Sequence, residues 1–523
     1  MLDKEENFYE ALYRKFYKFA QTTPDLFGVE FSKNVTYPVL KSISSNNFIF
    51  PLPKKLDDKY VFEGWFFDDT DKGRRSMWTL FLSTLYHLAG HAAVSHYDKY
   101  EKWIENKTLD DSWRVIDFIE DAAVEKYLSH NDSDLLENIK FVDKQLLFLQ
   151  TETTEKDNFQ QKDLSYFLEE IEKKQDDIKN KIMDVRDDQQ NVSILSIANH
   201  LYQNRELLPR QILAYREHHK EHWPFKFEVK TIALVPTGEF AEQIIKLDEL
   251  WDHEENARKK MLRRYKKHLK NLNFDKIIIP PGNLQSFTQI RTITLPFLRK
   301  IRQQIRMITN LMDEPRIDQI GYVDMQMAIQ AIASEGQSTD IFERDELRRG
   351  EEAWVILVDR SASMGLRFDR LKEFTICMAE CANELTGRHD AWAMYSFDNN
   401  FQILKDFKEK YGQVVQARIG SMENGGLSLL PDAIELSQRV LNEDPREKKY
   451  IFVITDGSPS GYAKIQEVFA KVTKKVDVSD INLVAIGVSK TVTKEFRNSA
   501  TATNLRNLVA KFITAYRTLS SDV

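Results

Sequence analysis

A chain of 523 residues, 42% of them hydrophobic and 32 of them phenylalanine, has room for two to four domains with sizeable cores. Its formal net charge of −7 gives no global argument for nucleic acid, so a charge-driven nucleic-acid binder is not expected. No stretch approaches the roughly 18 uninterrupted apolar residues of a membrane span. From the N-terminus, Met1-Leu2-Asp3-Lys4-Glu5-Glu6 is acidic and lacks the basic-then-apolar order of a secretion signal, so the expected location is cytoplasmic. Residues 1–130 read as a helical domain with aromatic-rich turns such as Trp65-Phe66-Phe67.

Within that domain an alanine-rich helical run contains Tyr86-His87-Leu88-Ala89-Gly90-His91. The i, i+4 spacing puts His87 and His91 on one helix face, suited to a shared metal ion, while His96 points elsewhere. A second helical run, Ile119-Glu120-Asp121-Ala122-Ala123-Val124-Glu125, sets Asp121 and Glu125 as an i, i+4 carboxylate pair. Two histidines with a carboxylate resemble the zincin metallopeptidases. Zincins carry H-E-x-x-H, and here Leu88 stands where the water-activating glutamate would be. A leucine cannot take a proton, so zincin-like hydrolysis lacks its base. A structural metal, Zn²⁺ in particular, and a buried histidine pair bonded to the acidic helix are the other two readings of His87, His91, Asp121 and Glu125.

Residues 131–190 are polar and acid-rich and read as a charged helical insertion. Leu164, Phe167, Leu168 and Ile171 recur there at the spacing of one amphipathic helix. Residues 191–312 continue helical. They include a basic run, Arg258, Lys259, Lys260, Arg263, Arg264, Lys266, Lys267 and Lys270, through which Met261, Leu262, Tyr265 and Leu269 make an apolar stripe. Such a run is either a docking surface for an acidic partner or nucleic acid, or a helix with one buried face and a charged exterior. Pro280-Pro281-Gly282-Asn283 marks a break, and a further helix runs through Leu298 to Met312. Residues 313–350 form an approach segment, with Gly321-Tyr322-Val323-Asp324 and Ile341-Phe342-Glu343-Arg344.

From 351 to 520 strand and helix patterns alternate. Strand Trp354–Val358 precedes a helix near Phe368–Leu385, where Cys377 and Cys381 share one face as packed thiols. So few cysteines fit a reducing cytosol. Strand Trp392–Phe397 follows, then a helical run from Pro431 to Val440 and strand Tyr450–Thr455. Helix Ala463–Val472, strand Ile481–Val488 and a last helix around Ala502–Thr518 complete the pattern. This alternation predicts an α/β fold, a mostly parallel sheet with helices on both faces, joined to a mainly helical N-terminal region.

The most informative stretch is Asp359-Arg360-Ser361-Ala362-Ser363, a D-x-S-x-S group directly after the first apolar strand. One carboxylate and two hydroxyls on a single turn make a nest of hard oxygen donors of the kind Mg²⁺ prefers. The nest lies where open α/β sheets place their ligands, outside the carboxyl ends of the strands. Gly425-Gly426-Leu427-Ser428 comes later, and Asp456 follows the strand Tyr450–Thr455. Together these resemble the metal-ion-dependent adhesion site (MIDAS) of von Willebrand factor A (VWA) domains. The resemblance implies a divalent cation, Mg²⁺ or else Mn²⁺ or Ca²⁺, held by Asp359, Ser361, Ser363, Ser428 and Asp456. Ser428 takes the family's usual threonine position and keeps its hydroxyl. The family leaves one coordination position for a carboxylate from a partner protein.

In order of segments, the whole chain is similar to the VWA proteins that partner MoxR-type AAA+ ATPases. These include the nitric oxide reductase activation (NorD-type), CbbO-type and CobT-type subunits. That resemblance implies a non-catalytic cytosolic adaptor that grips an acidic residue of a target while a separate ATPase remodels it. The chain has no G-x-x-x-x-G-K-[S/T] phosphate loop of its own. His389 stands alone and reads as structural. A stand-alone scaffold or nucleic-acid-associated VWA protein, supported by the basic helix, and a zincin-like hydrolase are the alternatives.

Overall fold

The computed structural model describes residues 7–42, 45–154, 191–205, 238–312, 322–323, 342–343, 352–456, 459–488 and 496–501, with single positions between 504 and 516. The chain divides into two compact units, Met1–Ala257 and Arg258–Val523. The amphipathic helix expected around Leu164–Ile171 lies outside the described residues. So does most of the approach segment, apart from a short antiparallel pairing of Tyr322–Val323 with Phe342–Glu343. Of the last helix, only scattered positions between 507 and 516 are described, and they are helical.

The first unit is helix-rich. Helix α1 (Phe8–Ala20) starts where the Asn7 side chain accepts a hydrogen bond from Tyr9 N. Helix α2 (Asp71–Val94) is capped by Thr70, whose hydroxyl accepts from Gly73 N at 3.1 Å. From Met77 to His91 nearly every side chain of α2 is buried. That explains its lack of a polar stripe, since it runs through the unit rather than over it. Helix α3 (Leu109–Asn131) and helix α4 (Ser133–Thr154) pack against it. The α2–α3 approach is close at Gly90, where an added Cβ would stand 2.6 Å from a Val124 methyl.

Residues 1–130 are mostly helical, as read, but between α1 and α2 the chain also forms strands that the sequence reading did not place. Six strands lie there: β1 (Gly28–Ser32), β2 (Val39–Ser42), β3 (Ser45–Pro51), β4 (Lys54–Leu56), β5 (Lys59–Phe62) and β6 (Trp65–Asp68). They form two three-stranded sheets, ordered β1-β3-β2 and β4-β5-β6. Trp65-Phe66-Phe67, read as a turn, is strand β6, with Trp65 and Phe67 inward and Phe66 half-buried. Strands of three to seven residues give too few alternations for periodicity to separate them from aromatic loops.

The second unit is built on a seven-stranded sheet. Helix α5 (Asn191–Gln203) belongs to the first unit, and helix α6 (Gly238–His268) begins there and ends in the second. Strand β7 (Ile277–Ile278) and helix α7 (Leu284–Met312) follow. The short pairing already described is β8 and β9. Then come β10 (Glu352–Asp359), α8 (Phe368–Thr386), β11 (Trp392–Phe397), β12 (Phe401–Lys405), α9 (Gln413–Gly420), α10 (Leu430–Asn442), β13 (Lys448–Thr455), α11 (Ile465–Val478), β14 (Ile481–Gly487) and β15 (Asn498–Thr501). The strand order is β15-β14-β13-β10-β11-β12-β7. Every neighbouring pair is parallel except β11 with β12.

Helices cover both faces, which is why β10 is buried on both sides and reads as an unbroken apolar run. One face packs Phe287, Phe374, Cys377, Ile419 and Phe512 over Trp354, Ile356 and Val358. Cys377 and Cys381 are buried thiols there, as the helical spacing suggested. The other face packs Tyr265, Ile434 and Phe469 over Val355 and Leu357. The apolar stripe of the basic helix is part of that second core, with Tyr265 fully buried and Met261, Leu262 and Leu269 packed against it. Lys259, Lys260, Arg263, Lys266, Lys267 and Lys270 face solvent, while Arg264 pairs with Asp406. This helix therefore has one buried face and a charged exterior.

Candidate metal centre

The chain leaves β10 for β11 on one side of the sheet, and β13 lies on the other. The strand order therefore reverses at the carboxyl end of β10, where an open α/β sheet forms its crevice. The pairing of Val358 with Ile454 sets Asp359 and Thr455 side by side at that end. Asp359 is fully buried. Its Oδ1 accepts from Ser361 N at 3.0 Å, which tightens the turn. Its Oδ2 accepts from Ser428 Oγ at 2.7 Å and from Thr455 Oγ1 at 2.8 Å. Ser361 Oγ lies 3.0 Å from Ser363 Oγ. Ser361 and Ser428 are buried, and Ser363 is exposed at the mouth. Asp456, also buried, is the next residue after Thr455.

Backbone bonds hold the two loops together. Ala362 N donates to Gly426 O at 3.0 Å, and Gly425 N donates to Arg360 O at 2.9 Å. Gly426 has φ +74, and a Cβ there would stand 2.9 Å from Asn399 Oδ1. Glycine is required on both counts. Ser428 is held from its other side, where its N donates to Ser460 Oγ at 2.8 Å. Arg360 turns away from Asp359, pairing with Asp398 Oδ2 at 2.7 Å and donating to Glu423 O at 2.9 Å.

No ion pair among the described residues involves Asp359. Burial, the largest influence, pushes its carboxyl above the ordinary carboxylate range, and the bonds from Ser361, Ser428 and Thr455 pull against it. A buried carboxylate ringed by hydroxyls, with the nearest arginine committed elsewhere, is short of positive charge. An all-oxygen donor set of this kind fits a hard divalent cation. Two contributors escaped sequence reasoning. Thr455 reads as the last residue of a strand, and Ser460 has no motif; only the strand register and the loop path reveal them.

In the first unit a second group converges. His87 Nε2 and His91 Nε2 lie 3.0 Å apart, and Asp121 Oδ1 is 3.2 Å from the first and 2.9 Å from the second. All three residues are buried. Glu125, one turn beyond Asp121, is not among the converging groups and lies 3.6 Å from Lys140 Nζ. Glu120 accepts from Tyr100 OH at 2.7 Å. Burial lowers both imidazoles; at His87 the Asp121 carboxylate outweighs it and the pKa rises, while His91 stays lowered. Asp121 is buried too, yet the two histidines hold its carboxyl well below the usual range.

Residues 354–458 match the family described as von Willebrand factor type A domain, and the chain carries a domain of that class. Among individual proteins, an uncharacterized protein of Pseudomonas aeruginosa is 26% identical over 175 residues, 31% of this chain and 28% of its own length. A protein named NorD from Stutzerimonas stutzeri is 26% identical over 184 residues, 32% of this chain and 29% of its own. NorD of Brucella abortus is 23% identical over 174 residues, 30% of this chain and 28% of its own. The matched stretch thus spans under a third of each relative. A crystal structure of manganese-loaded TRAP protein from Plasmodium vivax aligns with 32% of this chain and 74% of its own, at 16% identity and a TM-score of 0.26. Among the described residues no helix is long and apolar enough to cross a membrane.

Proposed function

We propose that this chain is a non-catalytic, cytoplasmic VWA adaptor. It grips an acidic residue of a partner protein through a Mg²⁺ site made by Asp359, Ser361, Ser363, Ser428 and Asp456. It works with a separate MoxR-type AAA+ ATPase to remodel or activate a target protein or metalloenzyme. The observation that carries this reading is the buried Asp359 carboxylate at the strand-order reversal, contacted by hydroxyls from two other segments and, among the described residues, by no cationic side chain. Relatives named NorD support the adaptor class.

Mg²⁺, or Mn²⁺ or Ca²⁺ in its place, would supply a positive centre with a position that an incoming carboxylate can take. The chain's own residues do the rest. Asp359 anchors the turn from within, so Ser361 and Ser363 present their hydroxyls from one side. The cross-linked glycine loop presents Ser428 from the other, and Asp456 closes the strand end. Leu366 is fully exposed and Leu427 half-exposed on the loops flanking these residues. They give an arriving protein surface apolar contact beside the charged grip. The basic helix does not favour a nucleic-acid reading, because its apolar stripe is spent on the sheet.

The test is Asp359→Ala in the full chain, with far-UV circular dichroism to show that the fold is intact. Capture of the acidic target should fall by at least about tenfold, since even the loss of an outer partner of a metal ligand costs about that much. Chelation of divalent cations should reproduce the loss in the unsubstituted chain. Normal target activation by the variant would remove the cation site from the mechanism.

A further inference from the structure

We propose that the N-terminal unit holds a divalent first-row transition metal through His87, His91 and Asp121, a site separate from the VWA cation and independent of its function. Three donor atoms, two imidazole nitrogens and one carboxylate oxygen, form a triangle with sides of 3.0, 3.2 and 2.9 Å. Donors about 2.0–2.1 Å from one ion stand roughly 2.9–3.3 Å apart at coordination angles from about 90° to about 109°. The triangle has the size that one ion imposes.

The protonation chemistry points the same way. His91 Nδ1 is engaged on its far side by Ser95 Oγ at 2.8 Å and Tyr97 OH at 3.0 Å. When Nδ1 donates to either oxygen, Nε2 is left with its lone pair facing His87 and Asp121. Such an outer partner is the usual device for orienting a metal-bound imidazole. Asp121 Oδ1 is buried and stands within ion-pair distance of the Nε2 of both rings, 3.2 Å from His87 and 2.9 Å from His91. One carboxylate oxygen facing both ring nitrogens is placed as the third donor to a single shared ion would be.

The local sequence serves this convergence. The i, i+4 spacing stacks the two histidines on α2. Gly90, between them, lets α3 come close enough for its Asp121 to reach the pair. The mixed nitrogen and oxygen donor set selects zinc or a neighbouring first-row ion over Mg²⁺ or Ca²⁺. Leu88 leaves the site without a base at the zincin position, and Glu120 is held by Tyr100. The role assigned is therefore binding, with α2 and α3 clamped together by the ion.

Chelator-treated full-length chain, titrated with Co²⁺, is the test. The expected result is a visible d–d absorption that saturates at one equivalent per chain, is bleached by Zn²⁺ and survives millimolar Mg²⁺. Asp359→Ala should give the same titration, and Asp121→Asn should weaken it by at least about tenfold. Zn²⁺ should also raise the melting temperature of the unsubstituted chain, a readout that needs no variant. No saturable Co²⁺ spectrum in the unsubstituted chain would overturn the proposal. An undiminished titration in a folded Asp121→Asn chain would do the same.

Discussion

Lys405 shows how much the VWA core will bury at the end of the sheet opposite the cation site. Its ammonium has no solvent exposure and donates to His389 O at 2.6 Å, Trp392 O at 2.7 Å and Asp406 O at 3.2 Å. Burial pushes its pKa down to about 7. In the unfolded chain the same group titrates near about 10.4. Between those values the unfolded state holds a proton that the folded state has released. Stability from this group therefore rises with pH from about 7 toward 10 and is lost as pH falls through that window. Lys405→Met removes the term. The stability difference between variant and parent should shift by up to about 4 kcal/mol between pH 7 and pH 10, in the direction that favours the parent at high pH. Denaturant melts at the two pH values measure it, and a pH-independent difference would show that the three carbonyls keep the lysine charged. At this same scale the D-x-S-x-S group was legible because its donors are local in sequence. Thr455 was not, because its hydroxyl matters only through a register set across two strands.

Among the elements, the alternation of β10, α8, β11, α10, β13, α11 and β14 was readable from apolar runs of strand length separated by helical periods. Several elements of the sheet unit were not, β12 and α9 among them. Strand β12 is antiparallel and follows β11 within a few residues, and α9 is only eight residues long. The seat of α9 is set by Gly420, where an added Cβ would stand 2.1 Å from Asn283 O and 2.7 Å from Phe287 N. Those atoms are backbone and open α7, so they cannot turn aside. Gly420→Ala should destabilise the chain by about 1–3 kcal/mol, because overpacking outweighs the small gain in helix propensity. Gly425→Ala, whose added methyl meets open space, is the control and should change far less. Equal melts for the two would mean that α7 is not held where its contacts with α9 place it.

For the whole molecule, the sheet unit begins well before the first VWA strand. Residues 258–312, which composition groups with the helical region before them, supply β7 to the sheet edge, Tyr265 to one core and Phe287 to the other. Nothing local announces this. Strand β7 is two residues long and pairs with a partner more than a hundred positions away. A fragment starting at Arg258 should melt cooperatively. One starting at residue 351 loses part of the cover of each face and should melt well below it or aggregate. Comparable melting of the two would place the boundary later than the packing does.

The central claim is that oxygens from three distant segments share one divalent cation at the reversal of strand order. Manganese electron paramagnetic resonance on the full chain reads that ion directly. We expect one Mg²⁺-displaceable Mn²⁺ per chain, kept in Asp121→Asn and lost in Asp359→Ala and Ser428→Ala with the fold preserved. Unchanged Mg²⁺-displaceable binding in a folded Asp359→Ala chain would contradict the claim.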